Sequence, residues 1–147
     1  MRILAVDLGL ARTGLAVSDP GEQLASPVCT VEQYYQPERM AIRVAEEAQK
    51  QGVELIVVGH PRNMDGSRGE SAKRAEEFAD LLSQKSGLPV ELWDERMTTV
   101  SAIGYLNETD VRGKKRKAVV DTVAATIILQ DFLTHRRLKR EREENAE

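Results

Sequence analysis

Three acidic positions, far apart along the chain, have the residue types and the setting for chemistry. Asp7 ends the apolar run Ile3-Leu4-Ala5-Val6, Asp94 and Glu95 end the run from Val90 to Trp93, and Asp121 follows Val119 and Val120. A single Asp after an apolar run is usually a turn former, because its carboxylate readily accepts from nearby backbone N–H groups. Carboxylates brought together behave differently. At ~4 Å and an effective dielectric of ~20, each pair of like charges repels by about 4 kcal/mol, so a cluster must take up protons or hold a cation. Oxygen donors without His or Cys select hard ions, Mg²⁺ foremost with Mn²⁺ as a substitute. Such an ion orients and acidifies a water and stabilises charge on the attacking and leaving oxygens of a phosphodiester, so the chemistry implied is phosphodiester hydrolysis. Asp94 and Glu95 compete for one place: strand alternation turns them to opposite faces, and Glu95 is favoured for its reach, with Asp94 as the alternative metal ligand.

The pattern of apolar residues predicts the elements that must position these groups. Arg2 to Asp7 and Thr13 to Ser18 read as two strands of a hairpin, joined through the glycine-bearing Leu8-Gly9-Leu10-Ala11-Arg12. A third strand is expected over Ala25 to Thr30, after the turn signal Asp19-Pro20-Gly21. Met40, Val44 and Ala48 recur every four residues between Pro37 and Gly52, which marks an amphipathic helix with a start and a stop. Leu55 to Val58 is apolar at consecutive positions, as in a central strand covered on both faces and paired in parallel with the first. A helix through Ala72, Ala75, Phe78, Ala79 and Leu82 ends near Gly87. A strand at Val90 to Trp93, a shorter helix near Thr98 to Asn107 and a long helix over Val119 to Leu138 follow.

The order βββαβαβαα predicts an α/β fold: a mixed five-stranded sheet, three antiparallel then two parallel strands, with helices on both faces. Ligands of such sheets bind beyond the carboxyl ends of the parallel strands, where Asp7 and Asp94-Glu95 fall. Ala124 and Ala125, at i+3 and i+4 from Asp121, leave that helix face small enough to lie close to the sheet.

A chain of 147 residues has room for one domain, read as residues 1–138 followed by a charged, frayed helix end over 139–147. The net charge of −3 means that a polyanion must be met by a local basic patch. Arg112, Lys114, Lys115, Arg116 and Lys117 supply one immediately before Asp121, with no acid between Val111 and Val120. Arg12 and Arg96 add cations near the other two acids. Such runs often form only solvated loops. The loop from Gly59 to Ser67 offers backbone N–H groups but reads mainly as a connection, and His60 and His135 are too isolated to form a metal or nucleophile site. Trp93 and Phe78 read as core, while Tyr34 and Tyr35 are candidate base-stacking or dimer contacts. One cysteine, Cys29, excludes an intrachain disulfide framework; with no apolar run of ~20 residues and no signal peptide, this predicts a cytoplasmic protein with no membrane partner.

Residues 7–19, Asp-Leu-Gly-Leu-Ala-Arg-Thr-Gly-Leu-Ala-Val-Ser-Asp, make the reading specific, because here the chain resembles the YqgF family. Its members are also called RuvX-like Holliday junction resolvases or pre-16S rRNA nucleases, on the RNase H-like fold. The resemblance continues through Val-Gly-His-Pro-Arg-Asn-Met-Asp-Gly-Ser at 58–67, Trp-Asp-Glu-Arg-Met-Thr-Thr at 93–99, Lys-Lys-Arg-Lys at 114–117 and Asp-Thr-Val-Ala-Ala at 121–125. It implies that Asp7, Glu95 and Asp121 are the metal-binding catalytic acids of a metal-dependent nuclease. The implied role is 5′-end processing of pre-16S rRNA in ribosome biogenesis, with structured RNA as partner. Holliday junction resolution on branched DNA is the alternative. The family often carries a basic residue where this chain has Ala11, which leaves Arg12 as the only cation of that turn.

Two other classes compete with an enzyme that works as a monomer or homodimer. An ATP-binding protein of the actin-like type also uses an Asp-x-Gly turn, here Asp7-Leu8-Gly9, but closes two domains around its nucleotide where only one fits here. A catalytically silent nucleic-acid or polymerase-binding module would tolerate loss of Asp7.

Overall fold

In the computed structural model, which describes residues 1–32, 36–63, 65–95 and 113–145 (backbone alone over 113–120), the first three apolar runs form β1 (Ile3–Asp7), β2 (Arg12–Ser18) and β3 (Ala25–Glu32). They pair antiparallel, with Leu4 opposite Val17, Asp7 opposite Gly14 and Leu15 opposite Cys29. After α1 (Pro37–Gln51), β4 (Leu55–His60) lies parallel to β1, with Ile3 beside Leu55 and Val6 beside Val58. After α2 (Glu70–Ser86), β5 (Val90–Asp94) lies parallel to β4, with Gly59 beside Trp93 and His60 beside Asp94. The strand order is β3-β2-β1-β4-β5, the mixed sheet expected from the sequence, and α3 (Gly113–Asn145) completes the chain.

Alternation along β1 and β4 feeds two separate cores. Leu4, Val6, Ile56 and Val58 pack against Met40 and Val44 of α1 and Phe78 and Leu82 of α2. Ile3, Ala5, Leu55 and Val57 pack against Ala125, Ile128, Leu129 and Phe132 of α3. Both strands are buried on both faces, which explains why residues 55–58 show no polar alternation. Gly52 and Gly87 end α1 and α2 at φ of 67° and 69°, left-handed conformations that cost a residue with a Cβ more than glycine.

Several boundaries lie beyond the apolar residues that predict them. Strand β3 continues to Glu32, opposite Arg12, and β4 to His60, because the ladder persists where side chains turn polar. Helix α3 overruns Val119 to Leu138 at both ends: no Gly or Pro interrupts Lys114 to Asn145, and Lys, Arg and Glu are good helix formers. The cations from Lys114 to Lys117 therefore stand in the first turns of α3 rather than in a loop. The helix expected near Thr98 to Asn107 lies outside the described residues, as do Tyr34, Tyr35 and Arg96. No described helix is long and apolar enough to cross a membrane.

The turn between β2 and β3 ties α3 to the sheet. Asp19 Oδ1 accepts from the backbone N–H groups of Gln23 and Leu24, which holds the turn in shape. Glu22, at φ 58°, reaches Arg136 Nε at 2.8 Å, an Arg140 terminal nitrogen at 3.1 Å and the Met1 ammonium at 3.1 Å. Burial pushes the Glu22 carboxyl up, but the hydrogen bonds from both arginines and the ammonium outweigh it and bring the carboxyl down to about 2. Its stabilising effect is therefore full above the ordinary value of 4.5 and lost as pH falls through about 2. Glu22→Gln should destabilise the protein by on the order of 1 kcal/mol, a Tm drop of about 2–4 °C at neutral pH that shrinks on acidification, measurable by thermal melts across pH.

Candidate active site

Asp7 is the last residue of β1, and the alternation that turns Ile3 and Ala5 toward α3 turns Asp7 the same way. The strands flanking it each lack a side chain nearby. Gly14 stands opposite Asp7 on β2, and Gly59 on β4 follows Val58, the partner of Val6. Each gap admits another acid. Over Gly14, α3 passes so close that a Cβ would fall on the Asp121 carbonyl and stand 2.9 Å from the Asp121 Cβ. A Cβ on Gly59 would stand 2.8 Å from the Glu95 carboxyl carbon and Oε1. Four strands and one helix thus bring residues 7, 95 and 121 to one end of the sheet.

The electrostatics follow from this crowding. Burial raises the Asp7 carboxyl well above the usual carboxylate range, and the charges of Glu95 and Asp121 push it further up. Asp7 and Glu95 are hydrogen-bonded to each other, which for two carboxyl groups requires a proton between them. Burial also raises Glu95, against the opposing effects of that hydrogen bond and of His60. Asp121 is raised by burial and drawn back by Arg12, whose Nε lies 3.4 Å from Oδ2. Neither of those two buried atoms completes a hydrogen bond, so the pair is in ionic range but poorly aimed. Among the described residues no group of three His, Cys, Asp or Glu side chains is closed tightly enough to ligate one ion together. Asp7 and Glu95 touch, and Asp121 faces them beside Arg12.

Alternation separates the neighbouring acids at the end of β5. Glu95 is the one that meets Asp7, whereas Asp94 pairs along the ladder with His60, on the α2 side of the sheet. Of the cations expected to meet substrate, Arg12 is the partner of Asp121 and Arg96 lies outside the described residues. Lys114, Lys115, Arg116 and Lys117 are placed by backbone alone.

The sequence reading gave His60 no part, yet it stands within electrostatic reach of Glu95, fixed by a 2.8 Å contact from Nε2 to Glu76 Oε2. Arg68 completes that chain at 2.7 Å from Glu76 Oε1. The signal available for it was position: it directly follows Gly59 at the carboxyl end of a central strand.

Residues 1–135 match the family model RuvX, described as a Holliday junction resolvase. A protein of Pelotomaculum thermopropionicum is 46% identical over 133 residues, covering 90% of this chain and 86% of its own length. One of Chloroflexus aurantiacus is 43% identical over 135 residues, covering 92% and 88%. Both carry the name "Putative pre-16S rRNA nuclease". Among solved structures, T. thermophilus RuvC in complex with Holliday junction substrate matches with a TM-score of 0.59 at 16% identity, over 93% of this chain and 96% of that one. At that identity the likeness shows the fold, which is RNase H-like. The family match runs from β1 into α3 and spans all three acids, and with relatives above 40% identity over nine-tenths of its length the chain belongs to the RuvX family.

Proposed function

We propose that this protein is a cytoplasmic, divalent-metal-dependent endonuclease that hydrolyses phosphodiester bonds in 5′-end processing of pre-16S rRNA. The observation that carries this reading is the contact of Asp7 with Glu95 and the approach of Asp121 to the same strand end, across two positions that lack a side chain. The donor set suits a hard cation: all its atoms are carboxylate oxygens, and Asp121 Oδ2 is buried without a hydrogen-bond partner. Asp7, Glu95 and Asp121 would hold Mg²⁺ or Mn²⁺. When bound, the ion supplies an acidified water and stabilises charge on the phosphodiester oxygens.

The chain's own residues do the rest. Asp7 and Glu95 would have to give up the proton between them to hold a cation, so affinity for metal should rise with pH. Arg12 neutralises Asp121 in the metal-free protein and offers a cation there for a substrate phosphate. The first turn of α3 contains no acid, and cations there oppose the helix dipole, so the dipole does not explain Lys114 to Lys117. Contact with a nucleic-acid backbone does. If these four and Arg112 all meet single-stranded phosphates, log K against log salt should have a slope of about −3.5, read from binding titrations across salt.

The names carried by the relatives favour pre-16S rRNA, and the family description supports a second reading, resolution of DNA four-way junctions. The same metal chemistry serves both. A resolvase must present two sites to a symmetric junction as a dimer, which an RNA processor need not do. The deciding experiment offers matched precursor RNA and four-way DNA junctions to wild type and Asp7→Asn under Mg²⁺ and Mn²⁺. Cleavage of the RNA alone, lost in the variant, is expected. No cleavage of either substrate by the wild type would instead make the protein a non-catalytic binding module, and cleavage unchanged in the variant would remove Asp7 from the chemistry.

A further inference from the structure

The ends of β1 and β4 have a second side. Away from the acids, on the face covered by α1 and α2, a cavity of about 540 Å³ opens between the β1–β2 turn, the start of α1 and the flank of α2. Leu8, Met40 and Phe78 contribute an apolar lining, and Leu10, also in the lining, is 51% exposed. Gln36, Ser71, Arg74 and Glu77 bring polar groups to it, and a terminal nitrogen of Arg74 donates to Ser71 Oγ at 3.0 Å. Two residues of the lining also adjoin the acid site: Gly9, in the turn that follows Asp7, and Gly59, against which Glu95 lies. One strand's thickness separates the two places.

We propose that this cavity receives one unpaired nucleobase of the nucleic acid whose backbone lies on the acids, which makes the enzyme selective for an unpaired nucleotide beside the scissile phosphate. The inference rests on the nuclease reading and adds a base-binding subsite to it. An apolar lining disfavours a phosphate or a metal ion, since neither can be stripped of water there without compensation. A nucleobase suits it, with apolar faces to bury and a polar edge to present to the Gln36 amide and the Arg74 guanidinium. The volume lies within the ~300–1,000 Å³ of small-molecule pockets, ample for a base with its sugar. A base held in a duplex must first be unstacked and unpaired to enter, so pairing at that nucleotide opposes binding.

The test uses Asp7→Asn protein, in which cleavage is silenced, and a short single-stranded RNA carrying one abasic residue moved along its length. Fluorescence anisotropy should show affinity about tenfold weaker when the abasic residue occupies one particular position, and little change elsewhere. Adding Ser71→Trp, at an exposed position of the lining, should abolish that dependence, whereas Ser71→Ala should keep it. In parallel, adenosine, guanosine, cytidine and uridine are titrated while the methyl resonances of Met40 and Leu10 are followed by NMR. A flat abasic scan overturns the inference, and needs no occluding variant to do so. Nucleoside shifts confined to residues away from Met40 and Leu10 overturn it too. Cleavage of RNA under Mg²⁺ with a flat scan sinks the pocket alone. A position-dependent scan with no cleavage of any RNA or DNA by the wild type supports the pocket and sinks the nuclease reading.

Discussion

Asp7→Asn should abolish Mg²⁺- or Mn²⁺-dependent cleavage, by at least ~10³-fold in rate, while the metal-free protein folds and melts at a higher temperature than wild type. Both effects have one cause. Asp7 is buried between two other carboxyl groups, and its ionised form lacks the water that would solvate it. With the unfolded carboxyl near its ordinary value of 3.8 and the folded one raised well above, the native state holds more protons than the unfolded chain throughout that interval. Metal-free stability therefore falls as pH rises through it, and Glu95, raised from 4.5, adds a slope of the same sign. Asn has the same shape and no charge, so the variant should show a flatter profile. Saturating Mg²⁺ should raise the Tm of wild type at pH 8 and leave the variant almost unmoved. Melts at pH 5 and pH 8, with and without Mg²⁺, check all of this. A wild type more stable at pH 8 than at pH 5 without metal, with Asn unchanged, would mean that no carboxylate repulsion is stored at this site.

The elements most legible in the sequence were those whose apolar spacing matches one structural period and whose ends carry turn residues. Pro37 and Gly52 bracket α1, and the unbroken run from Leu55 to Val58 marks β4 because both of its faces are covered. The ends of α3 were not legible, because exposed Lys, Arg and Glu extend a helix without an apolar signal. Asp7 and Glu95 were visible as acids at strand ends, and Asp121 as an acid early in the last helix. Their convergence was not, since it depends on Gly14 and Gly59, which in sequence read as ordinary small residues of apolar runs. Only the approach of residues 121 and 95, more than thirty positions away in each case, gives those glycines meaning. The same long-range closeness sets Arg12 beside Asp121, a pairing that the sequence does not show. His60 falls in the same class, since its link to Glu76 joins β4 to α2.

Those two glycines should separate stability from catalysis. At Gly14 an added methyl meets the backbone of Asp121, which cannot swing aside as a side chain can. Helix α3 must shift as a body, carrying Asp121 away from Asp7 and loosening the contacts of Ile128, Leu129 and Phe132 with the sheet. Gly14→Ala should therefore cost about 3 kcal/mol, near the upper end for overpacking, with a Tm drop of about 6–12 °C and loss of cleavage even at temperatures where the variant stays folded. At Gly59 the added methyl meets the carboxyl end of Glu95 at 2.8 Å and the Ile128 Cδ1 at 3.0 Å, and both are side-chain ends that can rotate. Gly59→Ala should cost only about 1 kcal/mol, yet displacing Glu95 by on the order of 1 Å should slow cleavage ~10²-fold. Thermal melts and single-turnover cleavage on both variants separate the effects. Equal stability losses with equal activity losses would show that α3 and Glu95 yield to the same degree, contrary to a helix backbone seated directly on β2.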